Sequence, residues 1–372
     1  MKVLYFSADY TTHDRHFLQK ISESADEVWY IRLNKDMRYE KRPVPKGVFE
    51  VSFRDESQVI STPDSCLNLM SDFESILDMI KPDLVHAGPV QSCGFMTALA
   101  NFHPFIIVSW GSDILVDANA NEMMQWATFY ALKHSDMLLC DCDAVKLKIQ
   151  KILPYDDERI VQFPWGVDLN KFSPGKLLHL RERLGWEDST IILSTRSWEQ
   201  IYGINTVLDS FRQAYGSDNR LKLILMGTGS LASIVNKYIT KNCLKDAVFM
   251  PGRVTHDQLP YYLKSSDVYL SCALSDGSSV SLLEAMATGL PAIVTDTPSN
   301  REWIEQNKNG SLVSQESAKG FSEAILEYAN LTVQERQKIG LINREIIKKR
   351  ANWIENSDKL LLAYKRLKHQ FS

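Results

Sequence analysis

Two acidic side chains, Asp276 and Glu284, stand eight residues apart in the run Ser275-Asp276-Gly277-Ser278-Ser279-Val280-Ser281-Leu282-Leu283-Glu284-Ala285-Met286-Ala287-Thr288-Gly289-Leu290-Pro291. Ser279 has the chemistry of an N-cap. Leu282, Leu283 and Met286 recur at helical spacing, Gly289 sits where a helix ends on glycine, and Pro291 lies beyond it. The pattern predicts a helix beginning at Val280. Apolar runs flank it, Asp267 to Cys272 before and Ala292 to Thr295 after, so the order is strand, loop, helix, strand, the unit of a parallel sheet. Gly277, Ser278 and Ser279 crowd the helix entrance. The first backbone N–H groups there lack intrahelical partners and the dipole adds positive charge, which together suit an anion. Eight residues along a helix axis span at most ~12 Å, about the reach of a sugar diphosphate. One carboxylate can then take hydroxyls at the sugar end while the other takes ribose hydroxyls.

This stretch resembles the E-x7-E signature of retaining GT-B glycosyltransferases of family 4 (glycosyl transferases group 1), with Asp276 in place of the first Glu. Glu284 to Pro291 matches the family's E-A-M-A-x-G-x-P run. The resemblance implies an α/β chain of two Rossmann-like domains facing a central cleft. It places an acceptor domain over 1–168, a nucleotide-sugar donor domain over 169–352, and a C-terminal helix over 353–372 crossing back to the first domain. It also implies retaining transfer of a sugar from a nucleotide-sugar donor to a hydroxyl on a glycan, lipid-linked or small-molecule acceptor. The nucleotide sugar is a co-substrate, with no cofactor and no metal. Asp276 would position the oxocarbenium-like sugar. Arg196 and the amides of Ser279 and Val280 would stabilise the leaving phosphate. The acceptor hydroxyl would attack from the front face, assisted by the departing phosphate.

Arg196 follows one strand pattern and precedes a helix, a place where phosphates bind; a surface ion pair is the other reading for it. The family carries a lysine just before the glycine of this loop, and Tyr202 occupies that place before Gly203. With one cation fewer, either Arg196 carries the leaving-group charge nearly alone or the donor presents less charge, as a monophosphate would. Gly227-Thr228-Gly229-Ser230 resembles the family's G-x-G turn, and Pro251-Gly252-Arg253-Val254 its F-x-G-x-V element, whose backbone reads the base. Gly229, Arg253 and Val254 therefore join Glu284, Gly277, Ser278, Ser279, Val280 and Tyr202 on the donor side.

The first half offers weaker acceptor-side candidates. Asp14-Arg15-His16 resembles the family's Glu-Arg-His, with Thr12-His13 where glycines are common. His13 and Asp14 read equally as ligand contacts or as an Asp N-cap beside a solvated His. His86 lies at a strand end, either in a pocket wall or as a structural hydrogen-bonder. Ser109-Trp110-Gly111-Ser112-Asp113 resembles the family's H-G-x-D turn. Trp110 stands where a histidine touches the transferred sugar, so it completes the catalytic set with Asp276 and Arg196; an indole stacks on a sugar and donates one hydrogen bond. Asp113 reads as a cap of the following helix or as part of the acceptor side.

Alternation of short apolar runs with helical patterns positions these loops. Strands are expected at Lys2 to Ser7, Glu27 to Leu33, Leu84 to Ala87, Phe105 to Ser109, Met137 to Cys140, Ile160 to Phe163, Ile191 to Thr195, Lys222 to Met226, Val268 to Ser271 and Ala292 to Thr295. Helices are expected at Phe17 to Ala25, Cys66 to Ile80, Cys93 to Phe102, Glu122 to His134, Ala144 to Leu153 and Leu331 to Lys368. Such alternation gives parallel sheets covered on both faces, with ligands at the carboxyl ends of strands. Pro164-Trp165-Gly166-Val167-Asp168 to Phe172-Ser173-Pro174 resembles the family's crossing between domains.

The 372 residues suffice for two cores, and a net charge of −4 with no basic block gives no reason to expect nucleic acid. Six cysteines without a C-x-x-C pair read as buried free thiols of a reducing compartment. The N-terminus reads as a buried strand and no run approaches a membrane span, so a cytoplasmic enzyme is expected, peripheral at the inner face of the membrane in one variant. Lys348-Lys349-Arg350 reads as a solvated face, with weak membrane-surface contact the alternative. A GT-B epimerase or phosphorylase and a non-catalytic nucleotide-sugar-binding protein are the rival readings. Release of free nucleotide from nucleotide sugars separates an enzyme from a binder.

Overall fold

The computed structural model describes residues 1–34, 40–54 and 62–371. Ser372, the end of the helix expected over 353–372, lies outside the described residues. The chain forms two units, one comprising Met1–Trp165 and the segment from Ile354 onward, the other Gly166–Trp353.

The first unit holds a parallel sheet of seven strands: β1 (Lys2–Ser7), β2 (Glu27–Arg32), β3 (Val48–Val51), β4 (Leu84–Gly88), β5 (Phe105–Val108), β6 (Met137–Cys140) and β7 (Ile160–Gln162). Their order is β3-β2-β1-β4-β5-β6-β7, with Val3 opposite both Val28 and Leu84. All residues of β4, β5 and β6 are buried. Apart from His86 in β4 they are apolar without alternation, as a strand covered on both faces requires.

The second unit holds β8 (Thr190–Ser194), β9 (Leu221–Met226), β10 (Val248–Gly252), β11 (Val268–Ser271), β12 (Ala292–Thr295) and β13 (Gly310–Val313). They pair in the order β10-β9-β8-β11-β12-β13. In both sheets the strand order reverses beside the first strand, at β1/β4 and at β8/β11. Connections leave in opposite directions there and open a crevice at the strands' carboxyl ends.

Three strands were not expected from the sequence: β3, β10 and β13. Each lies at a sheet edge. Half-exposed residues break the apolar signal of β3, which has no fully buried residue, and of β10, which has one, whereas β13 is mostly buried but opens on Gly310 and Ser311.

Helix boundaries moved as well. The first helix begins at Thr12, not Phe17, because Thr11 is the N-cap and Asp14 closes a capping box with it. The stretch expected as one helix from Cys66 is two, Pro63–Leu67 and Met70–Ile80. The one expected from Cys93 starts earlier with a wide turn, Val90–Gly94, and continues as Phe95–Leu99. Cys243 is exposed, unlike the other five cysteines.

The Val280–Ala287 helix joins β11 to β12. It ends as its sequence predicts. The Leu290 N–H donates to the Ala285 carbonyl and the Gly289 N–H to the Met286 carbonyl, both at 3.0 Å, with Gly289 at φ +84°. That pair of bonds is a Schellman motif, and the positive φ favours glycine. Arg344 donates to the Ala287 carbonyl at 2.9 Å, satisfying a further terminal acceptor. The helix is thereby fixed at its far end while its entrance faces the loops after β8 and β11. Among the described residues no helix is long and apolar enough to cross a membrane.

Candidate active site

The loop after β8 carries Arg196 and the loop after β11 carries Asp276, so the two meet where the second sheet's order reverses. One guanidinium nitrogen of Arg196 lies 2.9 Å from Asp276 Oδ2. The pair is at ion-pair distance without hydrogen-bond alignment, and this oxygen accepts no hydrogen bond. Arg196 Nη1 donates to Ser279 Oγ and Ser281 Oγ, each at 3.1 Å. The guanidinium carbon stands 4.1 Å from the centroid of the Tyr202 ring. Burial opposes the charge on Arg196, but Asp276, Tyr202 and Tyr269 outweigh it and hold the pKa above its ordinary value. Arg196 is thus a fixed, permanently charged group. Its Nε is buried and has no partner among the described residues.

Ser279 occupies the N-cap position, yet its hydroxyl makes no capping bond. It is turned to Arg196 and also lies 3.2 Å from Ser281 Oγ. The expected side-chain cap is therefore absent, and the helix's first N–H groups are left for another acceptor. Ser278 Oγ accepts from the Trp303 indole at 3.3 Å, and the Asp276 carbonyl accepts from Ser299 Oγ at 2.7 Å. These bonds pin the Asp276–Ser279 backbone, Gly277 included, from below.

The loop bearing Arg196 and Tyr202 is braced by its neighbour. The Trp198 indole donates to the Met226 carbonyl at 3.0 Å, and Glu199 accepts from the Ser230 N–H at 2.8 Å. Gly229 fits this contact, since a Cβ there would stand 2.4 Å from the Trp198 carbonyl oxygen. Its described role is close loop packing.

Glu284 lies on the same helix as Ser281 and is 5% exposed. Its Oε1 is 2.7 Å from Nε2 of His256. The other ring nitrogen of His256 is 2.8 Å from Lys171 Nζ, which is itself 2.6 Å from Asp257 Oδ1. His256 and Lys171 were not singled out from sequence. The one available signal was a histidine just past the Arg253-Val254 element, in a loop following an edge strand that was itself missed. Arg253 is exposed after β10, and Val254 is half-buried against the second unit's core.

In the first unit Trp110 is half-buried in an aromatic cluster. Ring centroids lie 6.0 Å away at His13, 5.9 Å at Phe17 and 5.9 Å at Trp165. Asp14 is buried, accepts from the Thr11 N–H at 2.7 Å and the Tyr5 hydroxyl at 3.0 Å, and has its pKa raised by burial. It is the third residue of its helix, not the N-cap. His86 is fully buried, with Nδ1 2.7 Å from the Tyr364 hydroxyl; burial pushes its pKa down to about 3, which keeps it neutral. Asp113 is buried too, accepting from Ser109 Oγ at 2.7 Å and from the Val90 N–H at 3.2 Å. It ties the loop after β5 to the one after β4. The N-cap of its helix is Gly111, which corrects the capping reading. Burial pushes the Asp113 pKa up to about 6. His13 and Trp110 alone of these residues keep a partly exposed surface.

Lys348 pairs with Glu345 at 2.6 Å and Arg350 stacks 4.4 Å over Trp303, the behaviour of a solvated helix face. Among the described residues no group of three or more His, Cys, Asp and Glu could hold a metal ion.

Two family models match the chain, one described as glycosyl transferases group 1 over residues 179–360 and one as glycosyl transferase 4-like over residues 2–142. With both models matched, the chain belongs to the family 4 type of GT-B proteins that they describe. It is similar to the Escherichia coli UDP-Gal:alpha-D-GlcNAc-diphosphoundecaprenol alpha-1,3-galactosyltransferase, 28% identical over 211 residues that cover 54% of this chain and 53% of that one. It is also similar to the alpha-monoglucosyldiacylglycerol synthase of Streptococcus pneumoniae, 25% identical over 48% of this chain and 41% of the relative. The chain thus spans about half the length of the curated relatives it matches. Among solved structures, Anabaena HepE in complex with UDP-glucose superposes with a TM-score of 0.80 at 16% identity, covering 98% of this chain and 100% of that one. Sucrose-phosphate synthase from Thermosynechococcus elongatus superposes at 0.78, with 13% identity and 99% of both chains covered. These likenesses bear on the fold, which is GT-B.

Proposed function

We propose that this glycosyltransferase moves a sugar, with retention of anomeric configuration, from a nucleoside-diphosphate sugar to an acceptor hydroxyl without a metal ion. The observation that carries the reading is the buried guanidinium of Arg196 at the uncapped entrance of the helix that also bears Glu284. The second unit takes the donor. Arg196 and the N–H groups of Ser279 and Val280 meet the diphosphate, and the charge that grows on it as the glycosidic bond breaks is stabilised where it forms. Asp276 restrains Arg196 in the free protein and orients the sugar in the complex. Glu284 accepts the ribose hydroxyls. Tyr202 supports the guanidinium by stacking, so Arg196 meets the leaving group with the help of neutral donors. The acceptor hydroxyl attacks from the face the phosphate leaves, and the departing phosphate takes its proton. Trp110 and His13 offer the first unit's partly exposed stacking surface to sugar rings.

The acceptor is a glycan, a lipid-linked glycan or a small molecule. The two relatives, a diphosphoundecaprenol-linked galactosyltransferase and a diacylglycerol glycolipid synthase by name, favour a lipid-borne acceptor, and with it work at the cytoplasmic face of a membrane. The test is incubation with a panel of nucleotide sugars, with and without EDTA, following nucleotide release and the anomer of the first-formed product by NMR. Release from one diphosphate sugar, unaffected by EDTA and with retained configuration, is expected. Binding without release would leave a non-catalytic nucleotide-sugar-binding protein, and an inverted product would refute retention.

A further inference from the structure

Glu284 is a buried carboxylate with only one oxygen engaged. Its Oε1 meets His256 at 2.7 Å, and among the described residues Oε2 accepts no hydrogen bond. Behind His256 stands Lys171, with Nζ 2.8 Å from Nδ1 of the ring. The side chains are little exposed, 6% for Glu284, 10% for His256 and 19% for Lys171. An ammonium can only donate, so Nδ1 must accept from Lys171 and the ring proton must sit on Nε2. That proton then points at Glu284 Oε1. The ion pair with Asp257 aims the Lys171 ammonium.

Lys171 is itself held by a stiff turn. Asp168 Oδ1 accepts from the N–H groups of Asn170 at 2.9 Å and Lys171 at 3.2 Å, and Arg344 donates to the Leu169 carbonyl at 2.9 Å. Phe172 is buried and its ring lies 5.1 Å from that of His256. The histidine is thus fixed in plane by packing and in tautomer by a cation.

We infer that Lys171 and His256 are positioning residues that lock the Glu284 carboxylate, with Oε2 directed outward, for the ribose of the donor. The inference rests on the reading of Glu284 as the ribose acceptor. Holding one oxygen with a neutral N–H leaves the carboxylate's charge available to the ligand and removes its rotational freedom before binding. A carboxylate that need not be ordered on binding gives up less of its hydrogen-bond energy. The same lock binds ground state and transition state alike, so it acts on donor affinity and not on the chemical step.

The experiment measures affinity for free UDP, and donor KM and kcat, for wild type, Glu284→Gln, His256→Leu, His256→Gln and Lys171→Met. It adds nitrogen NMR of the His256 ring in wild type, which needs no variant to fold. A ring protonated on Nε2 and bare on Nδ1 is expected. His256→Leu should weaken UDP binding about five- to tenfold, the net worth of one typical hydrogen bond. Donor KM should rise in step while kcat stays within about twofold, the signature of lost uniform binding. His256→Gln, whose amide N–H reaches the former Nε2 position, should recover most of the loss. Lys171→Met should fall between wild type and His256→Leu. A proton on Nδ1, or unchanged UDP affinity in His256→Leu while Glu284→Gln loses it, overturns the lock. Unchanged affinity in Glu284→Gln overturns the ribose reading itself.

Discussion

Tyr202→Lys installs the residue type that the family resemblance implies at this place, and the structure dictates what it does before any donor binds. The Arg196 guanidinium rests 4.1 Å from the Tyr202 ring centroid. Removing the ring forfeits a cation–π contact of about 0.5–2 kcal/mol. An ammonium in its place, at ~4 Å from the guanidinium, adds a repulsion between ~1 kcal/mol in water and ~4 kcal/mol at an effective dielectric of 20. The side chains of Arg196 and Asp276 are 15% and 23% exposed, so solvent reaches the site. The lysine stem can also carry its charge outward, and Asp276 offsets part of the repulsion. The low end therefore applies, and the free protein should lose roughly 1.5–3 kcal/mol. For a domain of this size that is a fall of roughly 3–12 °C in Tm.

A bound diphosphate reverses the sign of the new interaction, because both cations then face phosphate. Thermal unfolding with and without saturating UDP should show a lower Tm for the free variant and a larger nucleotide-induced rise than in wild type. An unchanged Tm in the free variant would refute the stacking argument. Stronger protection by a monophosphate-linked sugar than by any diphosphate sugar, in both proteins, would refute the diphosphate donor.

Asp276→Ala should leave affinity for UDP within about threefold, since it removes a partner of Arg196 and not a ligand contact of the nucleotide, while turnover falls on the order of 10²–10³. Isothermal titration beside steady-state kinetics checks this, and a parallel fall in both quantities would take Asp276 away from the sugar. Asp113 gives the first unit a pH dependence. Its folded pKa is about 6 because of burial, against ~3.9 when unfolded. Between these values the folded state binds the extra proton, so stability is greatest below about pH 4 and falls as pH rises to about 6, by up to ~3 kcal/mol. Urea unfolding of wild type and Asp113→Asn from pH 4 to 7 should show the wild type's advantage shrinking by about that amount, since asparagine does not titrate. A constant gap would refute it; Asp9, also raised to about 6 chiefly by burial, is present in both proteins and cancels.

Legibility followed how local each signal was. The helix from Val280 to Ala287 was readable to its last residue because its apolar face, its glycine terminator and its acidic pair lie within one short run. The interior strands were readable because burial on both faces leaves an unbroken apolar string. Of the edge strands, β7 was readable because its residues are mostly apolar, whereas partly exposed positions hid β3 and β10 and the Gly310-Ser311 start hid β13. Single chemical groups were harder than elements. Ser279 has the type and place of an N-cap, and local rules assign its hydroxyl to the backbone. A guanidinium 83 residues earlier in the chain takes that hydroxyl instead, and a charged donor is the stronger partner. Asp14 and Asp113 were ambiguous between ligand contact and capping for a related reason. Both uses call for a short carboxylate at a helix start, and only burial, invisible to local pattern, separates them.

His256 shows where such reading stops. It acts on Glu284 from 28 positions away, through a loop after an edge strand, and its tautomer is set by Lys171 another 85 positions back. No spacing rule links three residues so placed. They meet because the β8/β11 reversal gathers the carboxyl ends of separate strands at one crevice. The Asp168 turn then delivers Lys171 to the same place. An acidic pair written into one loop and the helix that follows it announces a site. The groups that set the orientation of its carboxylates are assembled by topology, and the substitutions at Lys171 and His256 separate those two layers experimentally.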